Sequence, residues 1–92
     1  MQPPRKLDDA WVLEWAWSDM PFGEVAVPGG RPKAIRGLAI CQYEGSSRFY
    51  RLSCDENWQT IADVDCSSLD EAKALQPDQF RNVRVVWHST VH

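Results

Sequence analysis

Long apolar runs are absent from this 92-residue chain. A membrane-spanning helix needs about 20 consecutive apolar residues, and no window of the sequence approaches that length. The apolar stretch near the beginning is short and rich in Trp, unlike the leucine-rich centre of a secretory signal. We therefore expect a soluble, cytoplasmic protein that has no membrane partner.

Cysteine is scarce, because the chain contains only Cys41, Cys54 and Cys66. The odd number leaves at least one thiol unpaired. On neighbouring strands of a predicted hairpin, Cys41 and Cys54 are offset by about four residues, or about 13 Å, which exceeds the ~7 Å Cα separation of a disulfide. The short C-x-x-C pairs of zinc-binding loops are also missing. We expect three buried free thiols, no metal ion and no other cofactor.

An excess of positive charge is also lacking. The chain has 10 Lys and Arg residues against 13 Asp and Glu residues, and its formal net charge is −3. A nucleic-acid-binding surface needs a dense cluster of basic side chains that displaces counterions from the phosphates. The basic residues of this chain are dispersed, so we expect no nucleic-acid partner.

Groups suited to catalysis are few. Both histidines, His88 and His92, lie in the last five residues, and no nucleophile elbow surrounds a serine or cysteine. Asp63 and Asp65 are about 7 Å apart on one side of a predicted strand, but their place just before a helix favours a solvated loop entry. The sequence therefore predicts no catalytic residues and no enzyme activity.

The local patterns predict a single small domain over residues 1–92, since a chain of this size can build one modest core. Ser68 and Glu71 match a capping box at the start of a short helix that Pro77 ends. Two segments are predicted to be irregular: a flexible arm over residues 1–6 and a long loop, rich in Pro and Gly, over residues 18–33, which has room for one short extended piece over residues 24–27. Alternating or β-rich patterns predict strands over residues 11–17, 34–43, 48–55, 58–65 and 82–88.

The element order is then β-β-β-β-α-β. This order predicts an α+β fold with a mostly antiparallel sheet of about five strands and one short helix packed on one face. Two registers are open for the hairpin: a three-residue loop places Leu38 beside Leu52, whereas a two-residue turn at Gly45 and Ser46 places Ala39 there. We favour the first register because it gives the more apolar single face.

Five tryptophans in so short a chain are its least ordinary feature. Trp58 and Trp87 are interpreted as core residues, and Trp58 is predicted to share one side of its strand with Ala62 and Val64.

The segment WVLEWAW carries the other three tryptophans. Trp11, Leu13, Trp15 and Trp17 occupy alternate positions, so they are predicted to form one face of a strand. Such a face approaches the largest apolar patch that a monomer usually exposes, on the order of several hundred Å². We predict that another chain, most simply a second copy, covers part of it, and the loop over residues 18–33 is the rival cover.

The sequence therefore predicts a non-enzymatic protein-binding or regulatory module, in its simplest form a homodimer. Aromatic residues are enriched at interface centres, and exposed loops often carry binding residues. The alternatives are a small-ligand-binding protein with an aromatic pocket and, less favoured, an unrecognised small enzyme. The candidate partner-binding residues are Trp11, Trp15, Trp17 and Arg31.

Overall fold

An antiparallel sheet forms the framework of the structure, a computed structural model that describes residues 1–75 and 83–90. Within these residues no helix is long and apolar enough to cross a membrane. The described elements are β1 (Lys6–Leu7), β2 (Ala10–Trp17), β3 (Gly23–Val25), β4 (Lys33–Ile35), β5 (Gly37–Gln42), β6 (Phe49–Cys54), β7 (Thr60–Cys66), α1 (Leu69–Ala74) and β8 (His88–Ser89).

The main sheet has the strand order β1-β2-β5-β6-β7, and β8 also pairs with β2. Strands β3 and β4 form a separate two-stranded hairpin. The predicted α+β class is confirmed, and the predicted strands are β2, β5, β6, β7 and β8. Within the predicted loop over residues 18–33, β3 overlaps the short extended piece predicted at residues 24–27, and β4 begins at the last residue of the loop.

The β5–β6 hairpin uses the register that the sequence analysis did not favour. Ala39 is the partner of Leu52, and Cys41 is the partner of Tyr50. Both faces of β5 are buried, so a more apolar single face gives no advantage. A turn in which the Ser46 N–H donates to the Tyr43 carbonyl, 3.0 Å away, sets the register instead.

A β-bulge in β2 breaks the predicted alternation of its tryptophans. The bulge lies between Val12 and Glu14, so that Trp15 is the partner of Ala39 while Trp11 is the partner of Gln42. Cross-strand partners point to the same face of a sheet. Trp15 and Trp17 therefore share a face with Val12, and Trp11 points to the opposite face. The prediction of one common face for all the odd positions was wrong.

A second irregularity separates Trp58 from Ala62 and Val64. Trp58 lies before β7 in a left-handed conformation with φ of 61°, and its N–H donates to the Asp55 carbonyl at 3.1 Å. The β6–β7 register then shifts next to Cys54. Trp58 packs with Leu52 and Cys54, whereas Ala62 and Val64 pair with residues of the other face. The prediction that the three share a side was wrong.

Both faces of the main sheet carry a core. We call the first the Trp58 face, because the indole ring of Trp58 covers it. We call the second the helix face, which is covered by α1, the β3–β4 hairpin and residues 83–87. The buried apolar residues of the Trp58 face are Leu7, Ala10, Val12, Ala39, Cys41, Leu52, Cys54 and Trp58. Those of the helix face are Ala16, Phe22, Ile35, Leu38, Ile40, Cys66 and Ala72.

Helix α1 begins as predicted at Ser68, whose hydroxyl accepts a hydrogen bond from the Glu71 N–H at 3.0 Å. The second half of the predicted capping box differs, because the Glu71 carboxylate accepts from the N–H and the hydroxyl of Ser67. Ala72 is fully buried and Leu69 packs beside it. Pro77, the predicted end of the helix, lies outside the described residues.

The last described segment packs with the predicted alternation but forms less strand than predicted. Val83, Val85 and Trp87 are half-buried against the helix face, while the residues between them are exposed. Regular pairing is limited to His88 and Ser89 beside β2. Position 82, where the strand was predicted to begin, lies outside the described residues.

Candidate functional site

An open pocket of about 290 Å³ lies where β2 approaches the β5–β6 turn. Trp11 and Leu13, both half-buried, come from β2, and exposed Tyr43 comes from the turn. The complete lining is Trp11, Leu13, Gln42, Tyr43, Glu44, Gly45 and Ser46. We refer to this cavity as the Trp11 pocket.

The turn side of the Trp11 pocket is held by hydrogen bonds. The Gln42 amide donates to the Ser46 carbonyl at 2.8 Å across the turn. The Tyr43 hydroxyl donates to the carbonyl of Asp8 at 3.1 Å, and its ring meets that of Tyr50 edge-on at 5.4 Å between centroids. Because Tyr50 is the partner of Cys41, this contact places the Tyr43 ring on the Trp58 face, opposite to the face to which Trp11 points.

Charged residues lie near Trp11 and in the neighbouring turns. The ammonium group of Lys6 lies 4.5 Å from the centroid of the Trp11 ring, close enough for a cation–π interaction. Glu44 belongs to the pocket lining. Asp8 and Asp9 form the left-handed turn between β1 and β2, with φ values of 49° and 70°, and both are exposed.

The other tryptophans of β2 are separated from the Trp11 pocket by the bulge. Trp15 meets Trp58 edge-on with 6.4 Å between ring centroids, and Trp17 meets the same ring at 5.6 Å. His88 stacks on Trp15 with 4.4 Å between centroids. Among the described residues, Trp58 and β8 cover these rings, and the loop over residues 18–33 contributes Asp19, whose carboxylate accepts a hydrogen bond from the Trp17 indole N–H at 3.2 Å.

Arg31, the fourth predicted partner-binding residue, is exposed in the connection between β3 and β4. This hairpin follows the Trp17 end of β2, whereas Trp11 lies six residues away along the strand, or about 20 Å. The structure therefore does not bring Trp11, Trp17 and Arg31 into one cluster.

The cysteines are buried free thiols, as predicted, and Cys41 and Cys54 have the predicted offset of four residues. Burial, followed by the nearby Cys54 and Asp8, raises the pKa of Cys41 to about 12. Burial likewise raises the pKa of Cys54 to about 12. A thiol with such a pKa is almost entirely protonated near neutral pH, so neither residue is an effective nucleophile.

Asp63 and Asp65, the paired carboxylates considered from the sequence, are exposed residues of β7. Asp65 accepts a hydrogen bond from the Arg48 guanidinium at 2.8 Å. Among residues 1–75 and 83–90, no group of three or more His, Cys, Asp and Glu side chains is arranged to hold a metal ion.

Two buried charges beneath the helix were missed by sequence reasoning. Glu14 is an ion-pair partner of Lys73, with 2.8 Å between Oε1 and Nζ. Arg51 donates to the carbonyls of Ala72 and Leu75 at the end of α1, and burial lowers the pKa of its guanidinium. Both charges stabilise the packing of the helix on the sheet, because each joins a strand to α1.

Tyr43 and Glu44 of the Trp11 pocket were also missed, because their proximity to Trp11 depends on the hairpin register. The signal available in the sequence was the alternative turn at Gly45, which brings these residues to the end of β2.

Comparison with protein-family models, curated proteins and solved structures finds no match for this chain.

Proposed function

We propose that this protein is a non-enzymatic protein-binding module that takes a side chain of its partner into the Trp11 pocket. The observation that carries the proposal is the pocket itself, in which half-buried Trp11 and Leu13 of β2 face an open cavity bordered by the β5–β6 turn. Tryptophan and tyrosine are enriched at the energetic centres of interfaces, because one side chain buries much apolar area at little entropic cost.

The dimensions of the pocket favour a protein partner over a small ligand. Small-molecule sites usually enclose their ligand in about 300–1,000 Å³. The Trp11 pocket, at about 290 Å³, is at the lower limit and opens widely to solvent. An inserted side chain fills such a space while the surrounding rim contacts the rest of the partner. The second candidate function is the binding of a free small molecule in an aromatic pocket of this chain.

Homodimerisation is the simplest form of the proposal, and Leu13→Glu tests it. This substitution places a charge on the pocket wall without removing a buried side chain, so the chain is expected to stay folded. Light scattering over a range of concentrations is expected to give a dimer for the wild type and a monomer for Leu13→Glu. Met20→Glu, at a highly exposed apolar residue near the β3–β4 hairpin, is the matched control and is expected to dimerise normally.

A wild-type chain that is monomeric at every concentration would contradict the homodimer. Selection of binders from a displayed library of random peptides then tests whether the Trp11 pocket binds protein partners other than a second copy of the chain. The proposal expects selected peptides that lose affinity for Leu13→Glu but bind Met20→Glu as they bind the wild type. Selected peptides that bind all three proteins equally would refute a role for the Trp11 pocket.

Trp15→Glu distinguishes the Trp11 pocket from the broader tryptophan face inferred from the sequence. If the face around Trp15 is shared between two chains, this variant should be a folded monomer. Trp15 contacts Trp58 and His88 within its own chain, so we expect the variant to lose its fold instead. Circular dichroism and light scattering of Trp15→Glu and Leu13→Glu in parallel measure the difference.

A further inference from the structure

We infer that the outer edge of β7 binds an extended basic segment of a partner protein, which pairs with β7 as an additional antiparallel strand. β7 is the last strand in the order of the main sheet. Its residues 63–65 are exposed, whereas the residues at both ends of the strand are half-buried or buried. Strands β5 and β6 separate this edge from the Trp11 pocket on β2, so binding here is independent of the proposed function.

The two edges of the main sheet differ in how their backbone groups are satisfied. The outer edge of β2 is paired with β1 and with β8. Between these two strands, the Val12 N–H donates to the Arg5 carbonyl at 2.9 Å, and the Leu13 carbonyl accepts from the Thr90 N–H at 3.0 Å. No strand within residues 1–75 and 83–90 pairs with the outer edge of β7. Unpaired backbone groups along such an edge are a template for another strand.

The hydrogen bonds of β6 show which backbone groups of β7 point outward. The Cys54 carbonyl accepts, at 3.0 Å, from the N–H of the residue before β5, so it points away from β7. The N–H and C=O of one strand residue point to the same edge, and successive residues alternate. Arg51 therefore bonds toward β7, to its partner Val64. The residues on either side of Val64, which are Asp63 and Asp65, direct their N–H and C=O groups away from β6.

The exposed side chains of β7 indicate the chemistry of the partner. Val64 lies on the helix face and is 43% exposed, while the two carboxylates beside it lie on the Trp58 face. The Asp65 carboxylate accepts from the Arg48 guanidinium at 2.8 Å. In the part of the chain that the structure describes, the Asp63 carboxylate has neither an ion-pair nor a hydrogen-bond partner. A basic side chain opposite Asp63 on an added strand supplies that partner.

The same carboxylates disfavour a second copy of the chain at this edge. If two β7 strands pair antiparallel around Val64, each Asp63 lies opposite the Asp65 of the other copy, and like charges in such positions are destabilising. A segment that alternates Lys or Arg with β-branched residues instead places cations opposite the carboxylates and an apolar side chain opposite Val64. In this mode of recognition the main-chain hydrogen bonds give affinity and the alternate side chains give specificity.

Amide hydrogen exchange of the full chain tests whether the edge is open. The amides of Asp63 and Asp65 are expected to exchange faster than those of Ala62 and Val64, which are bonded to β6. Equal protection of all four amides would show that the edge is already covered and would overturn the inference. Protection of Asp63 and Asp65 that increases with protein concentration would assign the edge to a second copy and would also overturn it.

Blocked six-residue peptides test the chemistry of the partner. The first has the order Thr-Val-Lys-Val-Lys-Thr, and the second carries glutamate in place of both lysines. We expect the lysine peptide to shift the amide resonances of Asp63 and Asp65. The glutamate peptide is expected to bind about 5-fold more weakly, because like charges then lie opposite each other.

Asp63→Asn and Glu56→Gln separate a contact at the edge from general charge attraction. Glu56 is exposed in the β6–β7 turn, before β7 begins, so both variants remove one negative charge. Asp63→Asn is expected to weaken the lysine peptide about 2–5-fold, and Glu56→Gln is expected to leave its affinity unchanged. Equal weakening by both variants would overturn the contact at Asp63.

Methylation of peptide nitrogens tests the strand pairing itself. In the antiparallel pair, the residues opposite Asp63 and Asp65 direct their N–H groups at β7, and the residues next to them direct theirs away. N-methylation of both lysines is expected to weaken binding about 10-fold, because two backbone hydrogen bonds are lost. N-methylation of both valines is the matched control and is expected to leave binding unchanged.

The remaining outcomes decide between the β7 edge and the Trp11 pocket. If the glutamate peptide binds as tightly as the lysine peptide, or the two methylated peptides bind equally, the basic added strand is refuted. If no peptide shifts the Asp63 and Asp65 resonances at millimolar concentration while the spectrum stays dispersed, the edge is not a docking site. Leu13→Glu is expected to bind the lysine peptide as the wild type does. Weaker binding by Leu13→Glu would place the peptide in the pocket and refute the edge.

Discussion

The indole ring of Trp58 lies directly against Gly37. A Cβ atom at Gly37 would be 2.6 Å from Cζ3 of that ring, closer than non-bonded atoms approach. The ring reaches this position because Trp58 ends a tight turn in which the Asp55 carboxylate accepts hydrogen bonds from the N–H groups of Asn57 and Gln59, each at 2.9 Å. Gly37 is thus required by a contact with a residue far away in the sequence.

Gly37→Ala is expected to destabilise the protein by about 1–3 kcal/mol, since the added methyl group overpacks a buried aromatic contact. Denaturant unfolding followed by tryptophan fluorescence measures the change. Gly30→Ala is the control, because there the nearest atom is a methyl group of the half-buried Val27 side chain at 3.2 Å. Equal midpoints for the two variants would show that Trp58 does not occupy this position in solution.

Lys73→Met is expected to lower the free energy of unfolding by about 1–3 kcal/mol, because it leaves the buried carboxylate of Glu14 without its cation. A double variant with Glu14→Gln should recover part of this loss, since no buried charge remains. Arg48→Met breaks an ion pair with Asp65 in which both side chains are about half exposed, so its effect should stay below about 1 kcal/mol. Strictly additive effects in the double-mutant cycle would argue against coupling between Lys73 and Glu14.

The buried thiols predict a loss of stability at alkaline pH. The pKa values of Cys41 and Cys54 rise from 9.0 to about 12 on folding. Between these values the unfolded chain releases thiol protons that the folded chain retains, so the free energy of unfolding falls as the pH rises. Replacing either cysteine by Ala should make this pH dependence less steep. An unchanged slope in both variants would contradict the burial of the thiols.

Alkylation provides a separate test of the cysteines. Without reductant, the unfolded chain should take up three labels, because all three thiols are free. In the folded protein at pH 8, Cys41 and Cys54 should react far more slowly than in the unfolded chain, because burial raises the pKa of both thiols to about 12 and leaves little thiolate. Mass spectrometry counts the labels, and a loss of two labels together would indicate a disulfide.

Ser68→Ala is expected to cost about 0.5–2 kcal/mol, because the Glu71 N–H loses the hydroxyl that caps α1. Ser67→Ala is the matched control: it removes a hydroxyl that donates to the exposed Glu71 side chain but caps no backbone group. Thermal or denaturant melts compare the two. A larger effect for Ser67→Ala would mean that the helix begins at a different residue.

The sequence by itself determined the features that depend on neighbouring residues. Alternation with a period of two placed the strands, because successive side chains of a strand point to opposite faces. Ser68 marked the start of the helix, since a cap needs only a hydroxyl and an N–H three residues apart. Trp11 was recognised as a candidate contact for its size and chemistry alone.

Only the tertiary structure decided which faces these residues share. A strand buried on both faces, such as β5, has no apolar face that selects one register, so the turn at Gly45 decides it. The bulge after Val12 leaves almost no mark in the sequence, yet it turns Trp11 away from Trp15. The Trp11 pocket and the place of Trp58 over Gly37 follow from these shifts, because a displacement of one residue reverses the direction of every later side chain.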